Sequence, residues 1–398
     1  MKLIVIGCGQ CGGRIADEFA RLNIKASIQR GIRITNGIYA VNTDVTDLTQ
    51  LSSVKRDHQH RILIGNQKTG GHGVGKINEM AAEIAAEESD KIIDALRTAD
   101  AIAETDAFLL IASASGGTGS GVIPILTQKI KERYRDKPVY NLIALPFAHE
   151  ETTEARTVYN TAVCLKSAYL VADAVFLVDN QRFVSDKFSL DANLRQINKA
   201  VVEPFYNLLC AGEEKKPQYI GSKVLDAGDI MQTLSGWTIL GQGMTRVHGL
   251  GFNLFGRSSG STDFRDKRTE AGRGIQSMQT ALTELSLKCN PADARRALYL
   301  VTAPHGEMSI DMLKNLGGML KNMATDAIIR TGDYPRENNF IAVAVVLSEL
   351  TNVSKVVSYF TKALTYIYAN IRKQEGIAQN QRSIEDSFKD IPSLLRWM

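Results

Sequence analysis

Apolar runs alternate with longer helical stretches through the first half of the chain. A run that is apolar throughout is typical of a strand buried on both faces of a parallel sheet, because a half-buried strand alternates apolar and polar residues. The sequence predicts such strands at residues 3–6, 37–41, 108–112, 137–145 and 174–178. Helices are predicted after two glycine-rich loops, at 77–89 and 122–134. The pattern therefore indicates a doubly wound α/β domain, with helices on both faces of a parallel sheet.

The second half of the chain has a different pattern. A long amphipathic helix is predicted at 191–210, where apolar residues recur at helical spacing. Polar residues 213–218 then mark a domain boundary. The segments that follow are predicted as helices at 230–240 and 308–324, strands at 297–302 and 340–346, and a late helix from Val353 to Ile371. A stretch rich in Gly, Ser and Arg, at 242–274, is expected to form a surface loop.

Composition and charge exclude several classes of protein. The 398 residues are 44% apolar and 23% charged, as in a globular protein with room for two domains. A net charge of +4 is too small over this length to indicate a nucleic-acid partner. The first apolar run, residues 3–6, is too short for a signal peptide or a membrane span. We therefore expect a cytoplasmic protein that does not insert directly into a membrane.

Five cysteines are spread along the chain, an odd number that fits reduced thiols better than a disulfide framework. Cys8 and Cys11 form a C-x-x-C motif, which could be a redox pair or half of a zinc site. No second pair accompanies it, and the surrounding glycines suggest another role. No metal site made only of protein side chains is predicted.

A glycine-rich loop follows the strand at 108–112 and leads into the helix at 122–134. Its glycines leave backbone N–H groups unobstructed, and a helix N-terminus attracts anions. A flexible linker would not join a buried strand directly to an amphipathic helix, so we interpret the loop as a phosphate cradle. It is not a Walker A loop, since Val122 stands where that motif requires Lys. The predicted phosphate-binding residues are Ser115, Gly116, Gly117, Thr118, Gly119 and Ser120.

This loop resembles the GGGTGSG signature of the tubulin/FtsZ superfamily, with Ser115 in place of the first glycine. The order of loops follows that superfamily over nearly the whole chain. The resemblance implies a GTPase domain joined by a central helix to a smaller α+β domain, with GTP or GDP as ligand and Mg²⁺ bound mainly through the phosphates. We accordingly divide the chain into a GTP-binding domain (1–190), a connecting helix (191–212), an activation loop with the α+β domain (213–372) and a tail (373–398).

The first glycine loop admits two interpretations. Residues 7–12, GCGQCG, satisfy the G-x-G-x-x-G pattern of dinucleotide-binding folds, so an NAD-dependent oxidoreductase built on Gly7, Gly9 and Gly12 is the main rival. That pattern expects an acidic residue about twenty positions on, and Asp44 comes too late. The opening GCGQCGGR instead resembles archaeal CetZ proteins, and VNTD at 41–44 resembles FtsZ. The resemblance assigns nucleotide contacts to Gly9, Gln10, Cys11, Gly12, Gly13, Arg14, Asn42 and Asp44.

Residues 70–76 form a third glycine loop. They fit the P-loop pattern G-x-x-x-x-G-K, but Ile77 follows where Mg²⁺ would need a hydroxyl ligand. In the superfamily a loop at this position senses the terminal phosphate, which assigns Gly71 to the nucleotide. A plain surface loop is the alternative.

The ribose and the base are assigned by the same resemblance. PFAHE at 146–150 resembles the start of the FtsZ ribose loop, in which either Glu150 or Glu154 supplies the carboxylate and Arg156 the following arginine. Asn180 and Asn198 correspond to the guanine-reading asparagines of tubulins, while Leu194 replaces an aromatic that stacks on the base. A side-chain amide both donates and accepts, as the edge of guanine requires.

Two aspartates are the candidates for catalysis. VLDAGD at 224–229 resembles the NVDFAD of FtsZ, with Val224 where FtsZ has Asn. Hydrolysis needs a carboxylate that orients water, and the cradle has none. The resemblance implies that Asp226 and Asp229 act on the nucleotide of a neighbouring subunit, so that subunits stack head to tail into a filament, with lateral sheets as a further option. Helix capping by Asp229 is the alternative role.

The chain closes with DIPSLLR at 390–396, from Asp390 to Arg396, which resembles the FtsZ tail peptide. We expect it to dock on a partner protein, and packing against its own domain is the alternative. The sequence thus predicts a GTP-hydrolysing filament protein that acts in cell shape or division. The alternatives are the NAD-dependent oxidoreductase and a filament protein that binds GTP without hydrolysing it.

Overall fold

Two units make up the chain. A computed structural model describes residues 1–97, 102–247 and 263–375. Of these described residues, the larger unit comprises those within Lys2–Gln29 and Arg33–Val202 and those from Asn352 onward, and the smaller unit comprises those within Met1, Arg30–Ile32 and Glu203–Thr351.

Parallel strands form the sheet of the larger unit, in the order β3-β2-β1-β4-β5-β6. They are β1 (Leu3–Cys8), β2 (Thr35–Asn42), β3 (Arg61–Leu63), β4 (Ala107–Ser113), β5 (Val139–Leu145) and β6 (Ala174–Asp179). Every residue of β1, β5 and β6 is buried, as the uninterrupted apolar runs predict. The strand order reverses between β1 and β4, which creates a crevice at their carboxyl ends.

Helices connect these strands. They are α1 (Gly9–Arg30), α2 (Val45–Thr49), α3 (Asn66–Thr69), α4 (Asn78–Arg97), α5 (Thr118–Arg133), α6 (Ala148–Thr153), α7 (Ala155–Val171) and α8 (Leu190–Ala211). Helix α5 begins before the predicted residue 122, so the second half of the glycine-rich loop forms its first turn. Helix α8, the predicted connecting helix, leaves the larger unit after Val202.

The smaller unit has the predicted α+β composition. Its elements are α9 (Ala227–Thr233), β7 (Gly236–Arg246), α10 (Asp263–Thr283), β8 (Ala294–Ala303), α11 (Ile310–Met323), β9 (Ile328–Pro335) and β10 (Phe340–Leu350), and a last helix, α12 (Ser354–Glu375), returns to the larger unit. Strand β10 pairs antiparallel with β7 and β8, while β8 pairs parallel with β9.

Two predictions about the smaller unit need correction, and one of its strands was not predicted. The helix expected at 230–240 ends at Thr233, because Gly236 has a φ of +53° and turns the chain into β7. The loop expected at 242–274 is strand up to Arg246 and helix from Asp263, and the part at 248–262 lies outside the described residues. Strand β9 was not predicted, because Arg330 and Asp333 interrupt its apolar pattern.

Candidate functional site

A cavity of about 480 Å³ lies where the parallel strand order reverses, at the carboxyl ends of β1 and β4. Ligands of doubly wound sheets bind at this point, because the loops after neighbouring strands converge there. Most residues that the sequence assigned to the nucleotide line it. They are Gly9, Gln10, Cys11, Arg14, Asn42, Asp44, Ser115, Gly116, Gly117, Thr118, Gly119, Glu150, Asn180 and Asn198.

Backbone groups at the start of α5, within the predicted phosphate cradle, line one side of the cavity. Gly117 is the N-cap of this helix, no side chain caps it, and its first turn contains no acidic residue. The start of α5 therefore lines the cavity without a side-chain cap or an acidic residue in its first turn, which suits a bound anion. A Cβ on Gly117 would lie 2.6 Å from Val74 Cγ2, and one on Gly9 (φ +71°) would lie 2.8 Å from the backbone nitrogen of Gly119. Only glycine permits these close approaches between loops.

A buried asparagine on α7 joins the cradle to the neighbouring glycine loop. Asn160 has no exposed surface, and its Nδ2 lies 2.9 Å from the Lys76 carbonyl, 3.3 Å from that of Ser115 and 3.1 Å from that of Gly116. Arg156 Nε also donates to the Lys76 carbonyl, at 3.0 Å. Sequence reasoning missed Asn160, because no local motif marks a side chain that acts through backbone carbonyls.

The loop after β2 contributes a second missed residue, Asp47. Its carboxylate lines the cavity and accepts from Gln10 Nε2 at 2.7 Å and from Asn42 Nδ2 at 3.1 Å. Asp44, which was predicted, caps α2 by accepting from the Thr46 N–H at 2.8 Å. Asp47 therefore holds two predicted contact residues in place.

Another part of the cavity lining carries groups suited to a planar base. Asn180 is 8% exposed and begins a 3₁₀ turn after β6, while Asn198 and Leu194 extend from α8. Phe147 and His149 also line the cavity, with their ring centroids 5.6 Å apart and their planes 19° apart. These two rings, which the sequence did not single out, line the same cavity as Leu194 and offer stacking surface.

The remaining predicted contact residues do not line the cavity. Gly12 and Gly13 lie in the first turn of α1, and Ser120 is buried. In the loop that contains Gly71, residues 73–76 line the cavity and Gly71 does not.

The two alternatives for the ribose carboxylate, Glu150 and Glu154, lie in different surroundings. Glu154 pairs with Lys76, Nζ to Oε2 at 2.5 Å, and Arg156 pairs with Glu79. Glu150 lines the cavity and accepts from the Phe147 N–H at 2.9 Å. Only Glu150 of the pair therefore faces the ligand space.

The C-x-x-C motif lies beside the cavity as two free thiols. Burial raises the pKa of Cys8 to about 12 and that of Cys11 to about 11. Both are protonated at neutral pH, whereas redox exchange and metal binding use the thiolate. The motif is therefore poorly suited to redox chemistry.

The candidate catalytic aspartates lie in the smaller unit. Asp226 caps α9 and accepts from the Asp229 N–H at 2.9 Å, and Asp229 pairs with Arg330. The preceding backbone is anchored by Asp333, which is 4% exposed and accepts from the N–H groups of Ser222 at 2.9 Å and Lys223 at 2.6 Å. Asp226 is exposed at the surface.

Two kinds of site were considered over the described ranges, residues 1–97, 102–247 and 263–375: a membrane-spanning helix and a metal cluster. No helix in these ranges is long and apolar enough to cross a membrane. No group of three or more His, Cys, Asp or Glu side chains there is arranged to hold a metal ion.

Comparison with known proteins matches both parts of the chain to described families. Residues 2–186 match the GTPase domain of the Tubulin/FtsZ family, and residues 188–365 match the C-terminal domain of tubulin-like CetZ. The tubulin-like protein CetZ1 of Haloferax volcanii is 30% identical over 366 residues, covering 89% of this chain and 90% of CetZ1.

Solved structures agree with the sequence comparison. The GDP-bound monomer of H. volcanii CetZ1 superposes with a TM-score of 0.77 at 27% identity, over 92% of this chain and 100% of the other. A GTPγS-bound protofilament of CetZ2 from the same organism gives 0.78 at 26% identity, over 93% and 100%.

Proposed function

Since the chain belongs to the tubulin/FtsZ family, and within it is CetZ-like, we propose that it binds GTP and GDP in this cavity and hydrolyses GTP as it assembles into filaments. The observation that carries the proposal is the uncapped start of α5 at the strand-order switch. Backbone N–H groups and the helix dipole suit phosphates there. The family membership sets aside the NAD-dependent oxidoreductase.

The cavity supports one orientation of the nucleotide. The phosphates lie at residues 115–119 and the loop at 73–76, and the ribose faces Glu150. The base lies between Asn180 and Asn198, whose amides can both donate to and accept from guanine. Mg²⁺ is held mainly by phosphate oxygens, since it prefers oxygen ligands and keeps several waters.

Hydrolysis is completed between subunits that stack head to tail. Asp226 and Asp229 lie on the smaller unit, and the cradle contributes no carboxylate of its own. A repeating contact that brings this surface to the neighbour's cavity supplies the missing group and also builds a filament. The solved CetZ2 protofilament supports the mode of assembly.

A filament protein that binds GTP and hydrolyses it very slowly is the second candidate. Val224 stands where FtsZ has an asparagine, and it is 42% exposed on the same loop.

The experiment has two steps. The nucleotide released from heat-denatured purified protein should be GDP or GTP, and NAD would contradict the assignment. GTP turnover per molecule should then rise with protein concentration, because each site needs a neighbour. A rate that does not depend on concentration would exclude the shared site, and filaments without turnover would favour the second candidate.

The cellular role is proposed from the same family. We infer a function in cell shape or division in the cytoplasm, through protofilaments that can also associate laterally. The docking peptide at 390–396 lies outside the described residues and stays a prediction. Removing residues 387–398 should abolish capture of its partner while GTP turnover is kept.

A further inference from the structure

Helix α12 packs along the larger unit, next to the loops that line the nucleotide cavity. Its inner face is apolar, with Val356, Tyr359, Phe360 and Ala363 all at most 5% exposed. The ring of Tyr366 lies 5.9 Å from that of Tyr159 on α7. The helix is therefore held in place by its own hydrophobic contacts.

One polar contact of α12 reaches the base side of the cavity. Lys355 Nζ lies 2.8 Å from Asp179 Oδ1, and the Asp179 side chain is 10% exposed. Asp179 also accepts from the Gln181 N–H at 3.2 Å and so caps the turn that begins with Asn180. Asn180 is the proposed reader of guanine, and Lys355 thus supports it through Asp179.

A second contact reaches the ribose side. Glu151 on α6 accepts from Tyr359 Oη at 2.6 Å and from Lys362 Nζ at 2.8 Å, with its side chain 13% exposed. Its neighbours His149 and Glu150 line the cavity. The two walls are also joined directly, because Gln181 Oε1 accepts from the Ala148 N–H at 3.1 Å.

Lys355, Tyr359 and Lys362 are spaced so that they share one side of α12. Their carboxylate partners, Asp179 and Glu151, are largely buried. An unpaired charge is costly at a buried position, and salt screens a buried ion pair poorly. A shift of α12 would therefore release both walls of the cavity together.

We propose that α12 positions the base and ribose walls of the nucleotide cavity, with Lys355, Tyr359 and Lys362 as positioning residues. The inference rests on the proposed binding of guanine nucleotide in this cavity. Because binding linkage is reciprocal, a nucleotide that fixes the two walls also orders α12.

The test uses the full chain with GDP as the probe. In the double variant Lys355→Gln/Lys362→Gln, the Kd for GDP measured by calorimetry should rise about tenfold, within the usual range of coupling between sites. Lys129→Gln is the matched control, since Lys129 forms only a loose surface pair with Glu132 at 3.9 Å. Lys355→Arg should restore most of the affinity lost in Lys355→Gln.

Hydrogen exchange distinguishes the proposed coupling from a purely structural role of Lys355 and Lys362, because a structural role would not depend on GDP. GDP should slow amide exchange across 354–368 in the wild type and should have no such effect in the double variant. Unchanged GDP affinity in the double variant, or equal slowing of α12 in both proteins, would overturn the inference while leaving the proposed function intact. A wild type that binds no guanine nucleotide would instead overturn the proposed function, and this inference with it.

Discussion

Asp229 and Arg330 form an ion pair, Oδ1 to Nε at 3.3 Å, that joins the first turn of α9 to β9. Arg330 Nη2 also donates to Gln232 Oε1 at 2.5 Å, so the guanidinium is held at two points of the same helix. The two candidate carboxylates are therefore not equivalent. Asp229 is oriented within its own subunit, whereas Asp226 presents its carboxylate at the exposed N-cap.

Arg330→Ala should slow GTP hydrolysis about tenfold without changing GTP affinity. Loss of the ion pair leaves the Asp229 carboxylate without its partner, and small misplacements near a reacting group reduce rates strongly. Binding should be unaffected, because the cavity is lined by residues of the larger unit. Turnover is compared with that of Arg295→Ala, which removes an exposed arginine of β8. Equal rates in the two variants would show that the pair has no role in hydrolysis.

Asp226→Asn separates the two roles of this residue. Asparagine caps a helix as well as aspartate does, so α9 should stay intact while the charge is lost. Hydrolysis should fall about 10²- to 10⁴-fold, the usual effect of losing a general base, and GTP filaments should persist. Asp226→Ala should hydrolyse as slowly and also lose about 1 kcal/mol of stability with the cap. Normal turnover in Asp226→Asn would restrict Asp226 to capping.

Asp333→Ala should lower the free energy of unfolding by about 2 kcal/mol, because the N–H groups of Ser222 and Lys223 lose their acceptor. Asp333→Asn should cost less, since its amide oxygen can still accept. Urea unfolding measures the difference, and GTP turnover should fall in the same order because these bonds hold the loop before Asp226. A fully stable alanine variant would contradict the anchoring role.

Asn198→Asp should relax the preference for GTP over ATP at least tenfold, because a carboxylate cannot donate a hydrogen bond to the base. Competition of ATP against GTP for the cavity measures the preference. Gln196→Glu is the control, since it makes the same amide-to-carboxylate change at an exposed position of α8. If Asn198→Asp keeps the wild-type preference, the base is read elsewhere.

The contacts of Glu151 predict a dependence of stability on pH. Burial alone would raise the pKa of Glu151, but hydrogen bonds from Lys362 and Tyr359 outweigh it and hold the pKa below the ordinary value of 4.5. The ionised group therefore stabilises the folded state above pH 4.5, and this contribution is lost as the pH falls below 4.5 and through the folded-state pKa.

Glu151→Gln should accordingly be less stable than the wild type by about 2 kcal/mol at pH 7, the effect expected for hydrogen bonds to a charged group. The gap should narrow as the pH falls below 4.5. Urea unfolding of both proteins across this range checks the sign. A gap that widens in acid would contradict the lowered pKa.

The sequence was sufficient where the signal is local. The buried strands and the glycine-rich loop at 115–121 are each marked by a pattern of consecutive residues. The family resemblance assigned Asn180 and Asn198 to the nucleotide, and both residues line the cavity. Residues that act at a distance gave no such signal. Asn160 lies 45 positions from Ser115, and Asp333 lies 111 from Ser222, so only the folded chain reveals these pairs.

The Asn160 amide has fewer protons than acceptors. Its nitrogen carries two protons, yet three carbonyl oxygens, of Lys76, Ser115 and Gly116, lie within 3.3 Å. The three carbonyls therefore compete for two protons, and one acceptor is always in surplus. A single buried side chain of α7 thus sets the spacing between two glycine loops that line the cavity.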